Sequence, residues 1–278
     1  MFDVLSRLRS VIRTVGLVSV LTASATAVFA PTAVAEEVAP DQYVALGDSF
    51  SSGNGTFRAD LSPAFVCYRS SFAYPALVAE QRPNTELDFR ACQGARTSNV
   101  VNSQVKALDA GTDFVSLTIG GNDIGFVDLI LACGSAKSPN CFAAVDTSNA
   151  RIRDELPAKL DQAYAAISAA APNVREVVVL GYGRFFGPNL ACPTAFGFTG
   201  AEATRLNGVA DNLDAMISAR VSAAGFEYRS AIPGFAGHDV CASDPYLNGI
   251  NLRLTDSFHP TRRGHSEVYA RQVRSVIG

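Results

Sequence analysis

The sequence has none of the spacings that hold a metal. It contains no Cys-x-x-Cys pair and no His-Glu-x-x-His, and its only histidines are His238, His259 and His265. Structural zinc needs four such ligands at short spacing, so neither a metal nor a cofactor is expected. A basic surplus is also missing, with 23 Lys and Arg against 26 Asp and Glu and a net charge of −3. Nucleic-acid partners call for a basic footprint and are not expected. There is no internal repeat and no low-complexity tract. Beyond the N-terminus, no run is long and apolar enough to cross a bilayer.

What is present begins with a leader. Arg7, Arg9 and Arg13 precede an apolar stretch from Val15 to Ala30, and Ala33-Val34-Ala35 is a small-x-small site. This pattern predicts a signal peptide over residues 1–35, cleaved after Ala35, and an extracellular protein. An N-terminal membrane anchor is the alternative, but the stretch is short and broken by serines and threonines, so no stable anchor is expected. Residues 36–278 then form a single domain, expected as a monomer, with net charge about −5. Cys67, Cys92, Cys133, Cys141, Cys192 and Cys241 all follow the leader. An even count in an exported chain predicts three disulfides, and composition alone leaves fifteen pairings open.

Five β-rich runs alternate with helical stretches: Gln42–Leu46, Glu86–Arg90, Phe114–Ile119, Glu176–Leu180 and Phe226–Arg229. Two are almost continuously apolar, as strands covered on both faces are. Helices are predicted over Ser71–Glu80, Thr97–Leu108, Ile152–Ala170, from the capping box Thr199-Gly200-Ala201-Glu202 to Ala223, and over Thr261–Val276. Long loops are predicted at Asn54–Tyr68, Ala132–Ser148, Arg184–Phe198 and Ile232–Thr255. The alternation predicts a doubly wound α/β domain.

Open parallel sheets bind ligands at the carboxyl ends of their strands. Gly47-Asp48-Ser49 follows the first strand, Cys92-Gln93-Gly94-Ala95 the second and Gly120-Gly121-Asn122-Asp123 the third. Asp256-Ser257-Phe258-His259-Pro260 precedes the last helix. A serine hydroxyl attacks only when a base takes its proton and a third group orients that base. Ser49, His259 and Asp256 fill those roles, in a chain order that triads admit. Attack on an ester places negative charge on oxygen, which positioned donors must hold. The N–H groups of Ser49 and Gly94 and the Asn122 amide are the candidates. Each residue also has a plainer reading: Ser49 or Asn122 as a helix cap, Gly94 as a turn glycine, His259-Pro260 as a surface turn. Asp48 reads as structural, and His238 and His265 as polar surface residues.

These four blocks, in this order, resemble the SGNH (GDSL) hydrolase superfamily, whose letters correspond here to Ser49, Gly94, Asn122 and His259. The resemblance runs from Tyr43 to the C-terminus. Around Gly47–Gly55, Cys67–Ser71 and Gly94–Thr97 it is similar to the secreted actinobacterial esterases and lipases of that superfamily. It implies a flavodoxin-like five-stranded parallel sheet with helices on both faces. It also implies the pairings Cys67–Cys92, Cys133–Cys141 and Cys192–Cys241. Some members orient the histidine with a main-chain carbonyl; here Asp256 is the expected acid and the Ser257 carbonyl the alternative. The chain lacks the Gly-x-Ser-x-Gly elbow of α/β-hydrolases, since Ser51 stands at the last position.

The expected activity is hydrolysis of short- to medium-chain acyl esters, lipids among them, through an acyl-enzyme. Phe185, Phe186, Phe196 and Phe198 either line an acyl site or form a satellite core. A polysaccharide deacetylase would need an open polar cleft instead. A non-catalytic binding module would need none of the four site residues.

Overall fold

Continuously apolar strands need cover on both faces, and the structure supplies it. In this computed structural model the described residues are 39–62, 66–134, 140–195 and 197–278. The leader and its cleavage site lie outside them. Among the described residues the sheet has five parallel strands: β1 (Asp41–Ala45), β2 (Thr85–Phe89), β3 (Phe114–Leu117), β4 (Glu176–Leu180) and β5 (Glu227–Arg229). Their order is β2-β1-β3-β4-β5, the flavodoxin-like arrangement. β3 is buried along its whole length and β4 over Val177–Leu180, while the edge strands are half-buried.

The helices are α1 (Ser49–Ser52), α2 (Tyr74–Glu80), α3 (Thr97–Asn102), α4 (Phe126–Cys133), α5 (Cys141–Asp154), α6 (Leu156–Ala170), α7 (Gly200–Ala224), α8 (Ile232–Phe235) and α9 (Arg271–Ile277). A π-helical segment, Gly264–Ala270, leads into α9. One group of helices packs in series through α3, α6, α7, α5 and α4; α2, α8, the π segment and α9 form the other. Among the described residues no helix is long and apolar enough to cross a membrane.

Two expectations need correction. The predicted loop Ala132–Ser148 is largely helical, taken up by the end of α4 and the start of α5, with Cys133–Cys141 bridging them. The predicted helix Ile152–Ala170 is the end of α5 and all of α6, broken at Glu155. Pro157 causes the break: a proline has no N–H and its ring clashes with the preceding turn, so it fits only in the first turn of a new helix. The other two disulfides are Cys67–Cys92 and Cys192–Cys241, the pairing that the resemblance implies.

Candidate active site

The strand order reverses between β1 and β3, and the site lies there. Gly47 ends the β1 segment with φ +117°, and a Cβ on it would come within 2.6 Å of the Thr118 carbonyl oxygen. A glycine is therefore required for the chain to turn into α1. Gln104 brackets that turn, donating Nε2–H to the Gly47 carbonyl at 2.9 Å and accepting the Gly47 N–H at 2.7 Å.

Asp48 is the cap of α1 and Ser49 its first residue. Asp48 Oδ1 accepts the Phe50 N–H at 3.0 Å and the Thr118 hydroxyl at 2.7 Å, and Oδ2 accepts the Tyr182 hydroxyl. Burial pushes the Asp48 carboxyl up to about 6, against the pull of those donors. Tyr182 Oη also accepts the Gly121 N–H at 3.1 Å, so one buried carboxylate couples the β1, β3 and β4 ends. Sequence reading missed Gln104, Thr118 and Tyr182. They are 57, 70 and 134 residues from their partners, and no local motif marks them.

Ser49 and His259 meet. Ser49 Oγ lies 2.7 Å from His259 Nε2, and His259 Nδ1 lies 2.8 Å from the Ser257 carbonyl oxygen. A carbonyl only accepts, which puts the ring proton on Nδ1 and leaves the Nε2 lone pair for the serine hydroxyl. Burial pushes the imidazole pKa down to about 4; the Ser257 carbonyl and the Asp256 charge oppose that shift. The ring is neutral at neutral pH, as a general base must be.

Asp256 makes no hydrogen bond to His259 in this geometry. Its Oδ1 accepts the Gly55 N–H at 2.7 Å and the Tyr68 hydroxyl at 2.6 Å. The short 3₁₀ turn Leu254–Asp256 aims the carboxylate into the protein, and Phe258 then folds the chain at φ +56°, returning the Ser257 carbonyl to the ring. A bulky residue is uncommon in that region of backbone space. The cluster around Phe258 holds it: Phe185 and Phe198 meet its ring edge-on, each at a centroid distance of 5.6 Å, and Phe186 lies tilted against it at 6.2 Å. These described phenylalanines are buried in the main hydrophobic core and not in a separate satellite, and Phe185 also lines a small pocket beside Ser49. Phe196 lies outside the described residues.

The donor candidates Ser49, Gly94 and Asn122 line one groove. Gly94 has φ +74°, and a Cβ on it would meet no atom within 4 Å, so its backbone is open to an approaching ligand. Asn122 is not the cap of α4, which Gly125 provides. Its Nδ2 donates to the Ala95 carbonyl at 2.9 Å, which aims the amide and leaves its second hydrogen for a ligand. Asp123 accepts the Thr97 N–H and hydroxyl at 3.0 and 2.7 Å, tying the third block to the second.

The other two histidines differ. His238 is half-buried and stacks on Tyr246, with Nδ1 2.8 Å from the Asp244 carbonyl. His265, expected at the surface, is fully buried. Its Nδ1 accepts the Tyr74 N–H at 3.3 Å, one of the donors that the first turn of α2 leaves unpaired.

A groove of about 710 Å³ opens over Ser49, Gly94, Asn122 and His259. Phe126, Val127, Ile130 and Leu131 of α4 form one wall, and Ile250, Leu254 and Phe258 the other.

A family model described as GDSL-like Lipase/Acylhydrolase matches residues 45–266. A lipase of Streptomyces rimosus is 40% identical over 242 residues, 87% of this chain and 89% of that protein. The crystal structure of extracellular lipase from that organism superposes with a TM-score of 0.80, covering 84% of this chain and 99% of that one. Phospholipase A1 from Streptomyces albidoflavus superposes with a TM-score of 0.80 at 42% identity, covering 85% and 99%. The matched span and these identities establish that the chain belongs to the GDSL-like lipase/acylhydrolase family.

Proposed function

We infer that the protein is an exported serine ester hydrolase of acyl esters, with Ser49 as nucleophile and His259 as base. One observation carries this reading: the Ser49 Oγ–His259 Nε2 contact at the floor of an apolar groove. His259 takes the Ser49 proton as Oγ attacks the ester carbonyl. The N–H groups of Ser49 and Gly94 and the Asn122 amide hold the oxyanion. The imidazolium then protonates the leaving alkoxide. Water, deprotonated by His259, hydrolyses the acyl-enzyme and restores Ser49. No step asks for a metal or cofactor.

The apolar walls favour an acyl chain over a sugar polymer. An acetylxylan esterase of Geobacillus stearothermophilus shares the fold at 16% identity and a TM-score of 0.53. That likeness concerns the fold alone. Export after Ala35, residues 36–278 as one catalytic domain and a monomeric state belong to the same reading.

Ser49→Ala should abolish hydrolysis of p-nitrophenyl esters and covalent labelling by an organophosphonate, with the circular dichroism spectrum unchanged. A retained rate above a few per cent of wild type would refute the assignment. Asn122→Ala should lower kcat by about 10²–10³ with a smaller change in KM. An unchanged kcat would leave the amide with only its Ala95 contact.

A further inference from the structure

The three oxyanion donors follow three different strands, and the sheet reaches none of them. Among the described residues, main-chain bonds between these loops stop at two. Cys92 N–H donates to the Gly47 carbonyl at 3.0 Å, and Asp48 N–H to the Thr118 carbonyl at 3.1 Å. Ser49, Gly94 and Asn122 all lie beyond those bonds. The second loop is also unpacked on one side. A cavity of about 350 Å³ lies against Gln93, Gly94 and Ala95 and against Asn99, Ser103 and Gln104.

Side chains on the next segment tie the loops together. α3 begins at Thr97, shortly after Gly94, and the 3₁₀ turn that follows it begins at Gln104. Thr97 gives its N–H and its hydroxyl to the two oxygens of Asp123, the residue after Asn122. Gln104 holds the N–H and the carbonyl of Gly47, two residues before Ser49. Ala95, two residues before Thr97, accepts the Asn122 amide. One short stretch thus leads out of the second loop and grips the first and the third. Thr97, Gln104 and Asp123 are all buried, so removing one partner leaves the other unmatched.

We propose that Thr97 and Gln104 are positioning residues, and that the stretch between them sets the spacing of the Ser49, Gly94 and Asn122 donors around the oxyanion. The inference rests on Ser49 as nucleophile and on those three donors. A donor helps only when it lies within hydrogen-bond reach of the oxygen as charge develops. Misplacing a group by about 1 Å can cost about 10² in rate. The oxyanion exists only after attack, so the loss should fall on kcat. Proton transfer from Ser49 to His259 does not pass through this stretch.

Thr97→Val and Gln104→Met keep the size of each side chain and remove its polar contacts. Each should lower kcat on p-nitrophenyl butyrate by about ten- to a hundredfold and change KM by less than about threefold. The acidic limb of the pH–rate profile should stay where it is in wild type. A trifluoromethyl ketone supplies a direct probe. Ser49 Oγ adds to its carbonyl, His259 takes the proton, and the oxygen keeps the negative charge. Affinity for this inhibitor should fall in parallel with kcat. Thr97→Ser restores the hydroxyl and should recover most of the rate. In an Asn122→Ala background, Thr97→Val should cost much less than it does alone, because the amide that it misplaces is gone. Circular dichroism reports folding, and the two positions test the proposal independently if one variant does not fold.

A kcat within about twofold of wild type in the folded variants overturns the proposal. So does a Thr97→Val loss that adds in full to that of Asn122→Ala, or a Thr97→Ser variant that recovers nothing. Failure of the underlying reading looks different: Ser49→Ala still cleaves the ester, or Asn122→Ala keeps its full kcat, and the proposal then falls with it.

Discussion

At the scale of single residues, the third member of the constellation is a backbone atom. The Ser257 carbonyl fixes the His259 tautomer, and Asp256 serves the Gly55–Tyr68 corner. Asp256→Asn should therefore lower kcat by about tenfold or less, against the roughly 10⁴ lost when a true triad carboxylate is replaced. A loss near 10⁴ in a folded variant would restore Asp256 to the triad. The Asp256 charge raises the imidazole pKa, so removing it should leave the acidic limb of kcat/KM in place or move it to lower pH. In wild type that limb should lie well below 6.5, toward 4, because burial disfavours the imidazolium. A limb at or above 6.5 in the pH–rate profile would contradict this. The candidate site residues were legible because each follows a strand or precedes the last helix. The choice between Asp256 and Ser257 was not, because two adjacent positions offer acceptors and only the left-handed turn at Phe258 decides between them.

Among the elements, β-rich runs, two of them almost continuously apolar, marked the strands, and the observed bounds differ from the expected ones by at most two residues. The connection between α4 and α5 was illegible for a chemical reason. Serines, an asparagine and a proline crowd that stretch, and they read as loop by composition. The disulfides act at this scale too. Cys192–Cys241 spans 49 residues and Cys133–Cys141 spans 8. In the chain-entropy model, removing the longer bridge costs more, within the usual range of about 2–5 kcal/mol. Denaturant unfolding of Cys→Ala pairs should show that order, and equal losses would speak against it. The longer bridge also anchors a groove wall, since Ile250 donates its N–H to the Thr194 carbonyl at 2.7 Å. Its loss should raise KM for acyl esters more than it lowers kcat.

For the whole molecule, acid should act through buried groups more than through the exposed ion pairs. Burial lowers the folded-state pKa of His259 to about 4 and of His265 to about 3. Their contribution to stability is complete above the unfolded value near 6.5 and is lost as pH falls toward those folded values. Asp48 works the other way. Its folded pKa is raised to about 6, so its contribution is present below 3.8 and lost as pH rises through 6. Between 3.8 and 6 the two histidines outweigh the one carboxyl, and unfolding free energy should fall on acidification. Protonating His265 also removes the acceptor for the first turn of α2. His265→Gln should flatten the dependence below pH 6.5, and Asp48→Asn should steepen it between 3.8 and 6. Urea midpoints across that range measure both, and a slope unchanged by His265→Gln would sink the assignment.

The bond from His259 to the carbonyl two positions earlier has an architectural consequence. A triad must hold three separated points of a chain in register, whereas here the base carries its own orienter on the same short turn. Only two anchors remain, the end of β1 and the turn before the π segment. The long connections at 184–198 and 232–255 are then free to change length without disturbing proton transfer, provided that Phe258 keeps its aromatic seat. Substrate preference could drift through those loops while the reaction stays the same.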